Sequence, residues 1–254
     1  MFRRLSPTSC VFVLASLLVA GPTYQTAADE KTDDLKIALD LATMLRSARS
    51  VIAENQPIIN DASRADKGLS GDVVLVKALE NFRKAKGAVL PDIKTTSRHG
   101  RLLTAQMEAI KAVMQENQPT INEKGLGFKG FVPAVFARLV NEEFRRMMGR
   151  EAEIKATAPP DRVRNRKARP DTWEIAAIRD KFLTSDWPKG KLLSGVAKNR
   201  GRDAFRVLVP EYYGKGCLAC HGEPKGATDI TGYPKEGHKL GDLGGVISVT
   251  LYRH

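Results

Sequence analysis

Residues 204–213 read Ala-Phe-Arg-Val-Leu-Val-Pro-Glu-Tyr-Tyr, and residues 245–252 read Gly-Val-Ile-Ser-Val-Thr-Leu-Tyr. In the first stretch, apolar residues at odd positions alternate with Arg206 and Leu208, and this period of two is typical of a strand. The second stretch is rich in β-branched residues, which favour strands. The sequence therefore predicts two strands, with a glycine-rich loop between them.

That loop contains the pattern Cys217-Leu218-Ala219-Cys220-His221. C-x-x-C-H is the attachment signature of c-type haem. Each thiol can add to one vinyl group of the porphyrin, and His221 is then in place to bind the iron as the proximal ligand. A single copy of the motif predicts one covalently attached haem c.

Three other uses of this cysteine pair compete with haem attachment. A thioredoxin-like redox motif should open a helix after a strand, whereas Gly214, Gly216 and Gly222 surround this pair and Pro224 follows. A zinc site would need two further ligands, and the chain has no second close pair of cysteines. A plain disulfide would not require the adjacent His221.

The N-terminus has the features of a secretory signal peptide, predicted over residues 1–28. Arg3 and Arg4 precede an apolar run of 12 residues over 10–21, and small residues precede a cleavage site before Asp29. A membrane anchor is the alternative, but a bilayer core needs about 20 apolar residues. The pattern predicts export to the periplasm, with no membrane-spanning segment after cleavage.

The composition bounds the function classes. The chain has 254 residues, 42% of them hydrophobic, so it can bury a core. Cleavage removes one of its three cysteines, Cys10, and leaves only the pair in the motif, so a disulfide scaffold is excluded. Cleavage also removes Arg3 and Arg4, so the formal charge falls from +12 to +10, which still favours an acidic redox partner. With 6% aromatic residues and no recognition motif, nucleic acid is not an expected partner.

The chain contains an internal duplication at an offset of 62 residues. Residues 46–87 and 108–149 share 14 identities over 42 positions, including Glu-Asn-Gln-Pro at 54–57 and 116–119. Each copy reads as a helix, a break that begins at the proline, a loop and a second helix. The second helices are predicted over 72–86 and 132–148, each ended by a glycine.

These features predict a division into a signal peptide, two helical repeats and an α+β part that binds haem c. The boundaries are 1–28, 29–100, 101–157 and 158–254, with 101–254 forming one structural unit. Repeat 1 is expected to be a scaffold or a surface for homo-oligomerisation. Asp171 and Glu174 have the spacing of a capping box, which predicts a short helix after Pro170.

The C-terminal part, roughly residues 105–252, resembles a family of exported single-haem c-type domains with a PAS-like core, often found ahead of histidine kinases or chemoreceptors. The stretches that carry the resemblance are Arg164-Asn165, Pro170-Asp171-Thr172-Trp173-Glu174, Cys217-Leu218-Ala219-Cys220-His221-Gly222, Tyr233-Pro234, Gly237 with Gly241-Asp242, and Gly244-Gly245-Val246-Ile247-Ser248-Val249. The resemblance implies a small antiparallel PAS-like sheet that carries the haem loop and lies beside long helices. With the duplicated helical N-terminal part packed with this sheet, the predicted fold class is α+β. We expect the domain to stand alone here, without a fused kinase or receptor segment.

The chain departs from the family at two places. Members often read Arg-Asn-Pro-x-Asn, whereas residues 164–168 read Arg-Asn-Arg-Lys-Ala. Some members use a helix cysteine as the second axial ligand, and Val113-Met114 occupies that place here. The mature chain has no cysteine outside the motif, so its sixth ligand cannot be cysteine.

The second axial ligand decides between electron transfer and binding of a small molecule, because an open position admits a ligand. Met114 is the first candidate, with core packing as its alternative. His238, in the glycine-rich loop, is the second. His99 is expected to be solvated and His254 to be frayed.

The remaining candidate site residues are Arg164 and Tyr233. Arg164 belongs to a basic cluster over 162–169 that either holds haem propionates or is a solvated charge run. Tyr233, like Tyr212 and Tyr213, lies beside the loop and either walls the haem pocket or packs on the strands.

The function predicted from these residues is a periplasmic monohaem cytochrome c that transfers one electron or senses redox state, and that is not an enzyme. The alternative is a haem-based sensor of nitric oxide or carbon monoxide. A peroxidase is a third hypothesis with less support, because the sequence shows no distal His/Arg pair. For the fold, the alternative is a cytochrome c′-like four-helix bundle, which should end soon after the motif.

Overall fold

A computed structural model describes residues 27–87 and 96–253, with side chains from residue 31 onwards. The predicted signal peptide, apart from its last two residues, and His254 lie outside the described residues. The helices are α1 (Ala27–Glu54), α2 (Gln56–Ile59), α3 (Gly71–Lys86), α4 (Arg98–Glu116), α5 (Gln118–Asn122), α6 (Pro133–Met148), α7 (Thr172–Ala177) and α8 (Leu218–His221). The strands are β1 (Ala152–Thr157), β2 (Leu193–Val196), β3 (Ala204–Tyr212) and β4 (Leu243–Tyr252).

The helical duplication is confirmed. Helices α1 and α3 end 62 residues before α4 and α6, respectively. The short helix α5 begins 62 residues after α2 and is one residue longer. Gly87 ends α3 in the left-handed conformation, with φ of 63°, as predicted for a C-cap. The proline break differs from the prediction: Pro57 lies in the first turn of α2, where its missing N–H costs no hydrogen bond, so it starts a new short helix.

The two copies pack on each other through reciprocal contacts. The side chain of Gln56 donates to the carbonyl of Phe131 at 3.0 Å, and that of Gln118 donates to the carbonyl of Leu69 at 2.9 Å. The two donors are 62 residues apart in the chain, and so are the two acceptors. The contact is therefore self-complementary, as at the interface of a two-fold dimer, but it lies within one chain.

The four strands form one antiparallel sheet in the order β1-β4-β3-β2. The predicted strands over 204–213 and 245–252 are confirmed as its two central strands. The edge strands β1 and β2 were not predicted, because they are four to six residues long and show only weak alternation. The α+β fold class is thus confirmed. The four-helix-bundle alternative is wrong, since a ten-residue strand follows the motif.

The sheet is a middle layer between two sets of helices. Phe205 and Val207 of β3 belong to the large core formed with the long helices, whereas Leu208 packs with Ile178 and Phe182 on the other face. Those two residues bound a single π-helical turn that continues α7. Because α7 and this turn cover the second face, Arg206 is buried there as well.

The predicted capping box at the start of α7 is confirmed, with Asp171 and Glu174 each accepting from the other's backbone. Within residues 27–87 and 96–253, no helix is both long and apolar enough to span a membrane.

Candidate functional site

The motif folds as two consecutive tight turns at the end of β3. Residues Lys215–Cys217 form a 3-10 turn, and Leu218–His221 form the short helix α8. Residues separated by three or four positions lie on the same side of a helical turn. Cys217 has this spacing to both Cys220 and His221, so the first thiol shares a side of the turn with the second thiol and with the imidazole.

Two glycines allow the chain to leave the motif. A side chain at Gly222 would place its Cβ 2.6 Å from the carbonyl oxygen of Leu218. Gly237 has φ of 82°, which favours glycine, and its N–H donates to the carbonyl of Gly222. The next N–H, that of His238, donates to the carbonyl of His221 at 2.8 Å. The loop after the motif therefore folds back and closes on it.

The imidazole of His221 is oriented by two neighbours. Its Nδ1 lies 2.8 Å from Oε2 of Glu236, and its ring stacks on Tyr213 at 5.0 Å between centroids. An ionised carboxylate only accepts hydrogen bonds, so Nδ1 carries a proton, and in the neutral imidazole the lone pair is then on Nε2. A histidine held through one nitrogen by a carboxylate is typical of metal ligands.

Arg164 links Glu236 to the motif. Its guanidinium donates to Glu236 at 2.8 and 3.0 Å, to Asp229 at 2.6 Å and to the carbonyl of Cys220 at 3.0 Å. Burial opposes ionisation of Glu236, but hydrogen bonds from Arg164 and His221 outweigh it and lower the pKa of that carboxyl. At neutral pH the group next to His221 is therefore a carboxylate.

Asp229 is the second anchor of Arg164 and is fully buried. Burial of Asp229 opposes its ionisation, yet hydrogen bonds from Thr231, Arg164 and the backbone of Tyr233 lower its pKa far below the ordinary range. The Asp229 carboxylate thus pins both Arg164 and the turn at 229–233.

Both thiols of the motif are free. Cys217 is exposed and Cys220 is half-buried, and no disulfide joins them. Burial, followed by the charge of Asp229, raises the pKa of the Cys220 thiol, so it stays protonated at neutral pH. In the part of the chain that the structure describes, no group of three His, Cys, Asp or Glu side chains is arranged to hold a metal ion.

The residues present fit the haem c that the motif predicts. Two free thiols and an imidazole whose Nδ1 faces a carboxylate lie within five consecutive residues, which is the donor set that covalent attachment and proximal ligation require. Cys217, Cys220 and His221 would hold the group, and Glu236 would orient the ligand.

The structure also brings Arg164, Tyr233 and His238 to the motif. The Arg164 guanidinium lies over the exposed Tyr233 ring at 5.3 Å. Since its nitrogens donate to Glu236, Asp229 and the carbonyl of Cys220, Arg164 is bound to the loop and is not a solvated charge. His238 stacks on Tyr213 at 5.0 Å, and its Nε2 is buried with no hydrogen-bond partner among the described residues.

Met114 is fully buried in the core of the long helices. Its counterpart in the first repeat, Ile52, is buried in the same way. This equivalence fits the core-packing alternative, and ligation by Met114 stays a prediction. His99 is not solvated as expected, because its Nε2 lies 3.1 Å from a carboxylate oxygen of the buried Asp40.

Sequence reasoning missed Glu236 and Asp229. Both lie in a loop whose other charges are mainly lysines, and that contrast was the available signal. It was too weak to identify them, because their partners Arg164 and His221 lie 15 to 72 residues away in the chain.

A cleft of about 620 Å³ is lined by His238 and Gly241 of the closing loop. It is bounded by aromatic residues Phe182, Trp187 and Tyr212 and by the cationic Arg162.

A sequence model of the family described as Tll0287-like matches residues 93–251. The chain belongs to the Tll0287-like family. The matched region contains the second helical repeat, the sheet and the motif, so the first repeat lies outside the part that this Tll0287-like chain shares with the family model.

Among solved structures, the Tll0287-like chain is similar to the cyanobacterial haem protein Tll0287. The two are 16% identical, with a TM-score of 0.40, over 61% of this chain and 96% of that one. No curated protein matches the chain.

Proposed function

We propose that this Tll0287-like chain is an exported periplasmic cytochrome that carries one covalent haem c and cycles one electron. The observation that carries the proposal is the turn at 217–221, where two free thiols and a carboxylate-oriented imidazole lie together. The similarity to a haem protein and the predicted signal peptide agree with it. Covalent attachment suits an exported protein, because a haem lost outside the cytoplasm is not easily replaced.

The roles of the residues follow from their chemistry. Cys217 and Cys220 would each form one thioether bond, and Nε2 of His221 would bind the iron. When bound, haem supplies one-electron redox chemistry. The chain itself orients the imidazole through Glu236 and Tyr213 and closes the loop through the backbone of His238. The proposal is a carrier or a redox sensor and not an enzyme.

The surface of the loop supports a protein partner of opposite charge. Ile230 and Leu240 are about 60% exposed, and Lys225 and Lys239 lie exposed in the same loop. Exposed apolar side chains among cations are suited to brief docking of an acidic redox protein. The chain would then exchange electrons with, or signal to, that partner.

Covalent haem is tested by producing the full chain in a host that matures c-type cytochromes. The purified protein should keep its haem absorption after denaturation and acid extraction, and it should appear in the periplasmic fraction. Cys217→Ser and Cys220→Ser should each leave at most one thioether bond. Cys10→Ser is the matched control, because that cysteine lies outside the motif and should not affect attachment. Haem that extracts completely from the parent chain would refute the proposal.

The absorption spectrum of the reduced protein, with and without carbon monoxide, separates an electron carrier from a gas sensor. A six-coordinate carrier should show a low-spin spectrum that carbon monoxide does not change rapidly. A rapid shift would instead assign the protein to binding of a small gas ligand.

A further inference from the structure

Two charged side chains, Glu236 and Arg164, hold His221, the proposed proximal ligand. Glu236 accepts from Nδ1 of His221, and both of its carboxylate oxygens also accept from Arg164. Arg164 in turn reaches the Cys220 carbonyl inside the motif. One guanidinium therefore touches the backbone of the motif and the carboxylate that holds its histidine.

The two charges act on the imidazole in opposite directions. A carboxylate that accepts from Nδ1–H increases the electron density of the ring and makes it a stronger donor through Nε2. A cation bound to that carboxylate draws its charge away and weakens the effect. Since Glu236 and Arg164 are only about 20% exposed, water screens their interaction less than it would on an open surface.

We propose that Glu236 and Arg164 are positioning residues that set the reduction potential of the haem iron through His221. The proposal rests on the proposed function. A more electron-rich imidazole stabilises the ferric over the ferrous state, so Glu236 lowers the potential. Arg164 would limit this effect, both through the carboxylate and through its own positive charge beside the motif.

The geometry separates this role from simple loop stabilisation. If Glu236 and Arg164 only held the loop together, removing either one would loosen His221 in the same way. If they tune the ligand, their removal shifts the potential in opposite directions. The sign of the two shifts is therefore the decisive observation.

The test is a potentiometric titration of the purified, haem-loaded full chain and its variants. Glu236→Gln keeps the shape but removes the charge, and it should raise the potential. Arg164→Gln should lower it, and Arg164→Lys, which retains the positive charge, should lie closer to the parent. Glu223→Gln is the matched control, because it removes an exposed glutamate of the same loop and should cause a smaller shift.

A second readout does not depend on the potential. The g-values of the ferric haem in electron paramagnetic resonance respond to the electron density on the ligating imidazole. They should shift in one direction in Glu236→Gln and in the other in Arg164→Gln. Thermal unfolding followed by circular dichroism confirms that each variant is folded.

The outcomes are distinct. Shifts of the same sign, or shifts no larger than that of Glu223→Gln, would overturn the positioning role while leaving the proposed function in place. Absence of covalent haem from the parent chain would overturn the proposed function itself. If Glu236→Gln carries no haem, Arg164→Gln still decides, because a potential equal to or above that of the parent contradicts the proposal.

Discussion

Gln56 and Gln118 occupy equivalent positions in the two helical repeats and make equivalent hydrogen bonds. Each side-chain amide donates to a carbonyl of the preceding helix in its own repeat and to a carbonyl of the other repeat. The interface between the repeats therefore contains two equivalent hydrogen bonds, related by a local two-fold symmetry within a single chain.

Replacing either glutamine by alanine should destabilise the protein to a similar extent. Each substitution leaves two half-buried carbonyls without their donor, which should cost about 1–2 kcal/mol of the free energy of unfolding. Urea denaturation of Gln56→Ala and Gln118→Ala would measure this. Gln115→Ala, on an exposed position of α4, is the control and should change stability by less than about 0.5 kcal/mol. A clear loss for only one of the two glutamines would contradict the symmetry of the interface.

Arg206→Ala should be severely destabilising. The guanidinium is buried, lies 4.5 Å from the Trp173 ring centroid, and donates to Asp171 at 2.6 Å and to the fully buried Glu174 at 3.2 Å. Breaking a buried ion pair costs about 3–5 kcal/mol, and we expect a loss near the lower end because Lys155, 2.6 Å from the other Glu174 oxygen, still pairs with that carboxylate. The measurement is again the free energy of unfolding in urea.

Arg179→Ala is the matched control for Arg206→Ala. Arg179 also pairs with an aspartate, Asp180, but the arginine side chain is 70% exposed. Such surface pairs contribute about 0–1 kcal/mol. Equal effects of the two substitutions would show that the second face of the sheet is not closed by α7.

Glu211→Gln should destabilise the protein in a pH-dependent manner. Glu211 lies at the end of β3 and binds both Arg46 and Arg49 of α1. Burial raises the pKa of its carboxyl, but the two arginines outweigh burial and bring the pKa below its ordinary value of 4.5. The folded state thus favours the ionised form.

The sign follows from linkage between ionisation and folding. Because the folded pKa is the lower one, the stabilisation is fully present above about pH 4.5 and is lost as the pH falls through the folded pKa. Glu211→Gln should therefore lower the free energy of unfolding at pH 7 by about 1–2 kcal/mol, which is seen as a lower melting temperature. The difference in stability between the variant and the parent should shrink at pH 4 and below. Glu123→Gln, at an exposed position, is the control. A difference that persists unchanged into acid would refute the ion pair as its cause.

The identity of the second axial ligand is tested by Met114→Leu, which preserves volume but removes the sulfur. If Met114 binds the iron, this variant should lose the low-spin spectrum or its sulfur-to-iron absorption. Met107→Leu, another methionine of α4 that packs on the core, is the control. An unchanged low-spin spectrum in Met114→Leu would refute ligation by Met114. His238→Ala would then test the second candidate, whose Nε2 is buried and unpaired.

The sequence predicted the local elements of this fold well. The alternation around Arg206, the β-branched run over 245–252 and the repeated Asn-Gln-Pro segments each depend on neighbours in the chain. The capping box of Asp171 and Glu174 is local in the same way. Periodicity and capping act over a few residues, so they can be recognised without knowing what packs against them.

The polar partners of the site could not be predicted in this way. Glu236 has no local motif, and its role depends on the loop closure that brings it to His221. The burial of Arg206 was missed for the same reason, since alternation shows that a strand has two faces but not that α7 covers the second one.

The sequence alone predicted the covalent chemistry that we propose for this chain, because Cys217, Cys220 and His221 lie within five consecutive residues. The tertiary structure decided which charges surround that turn. Arg164, Glu236 and His221 meet only after the loop folds back on the motif, 15 to 72 residues from their partners. Electrostatic interactions depend on distance in space and on exclusion of water, and neither quantity can be obtained from spacing along the chain.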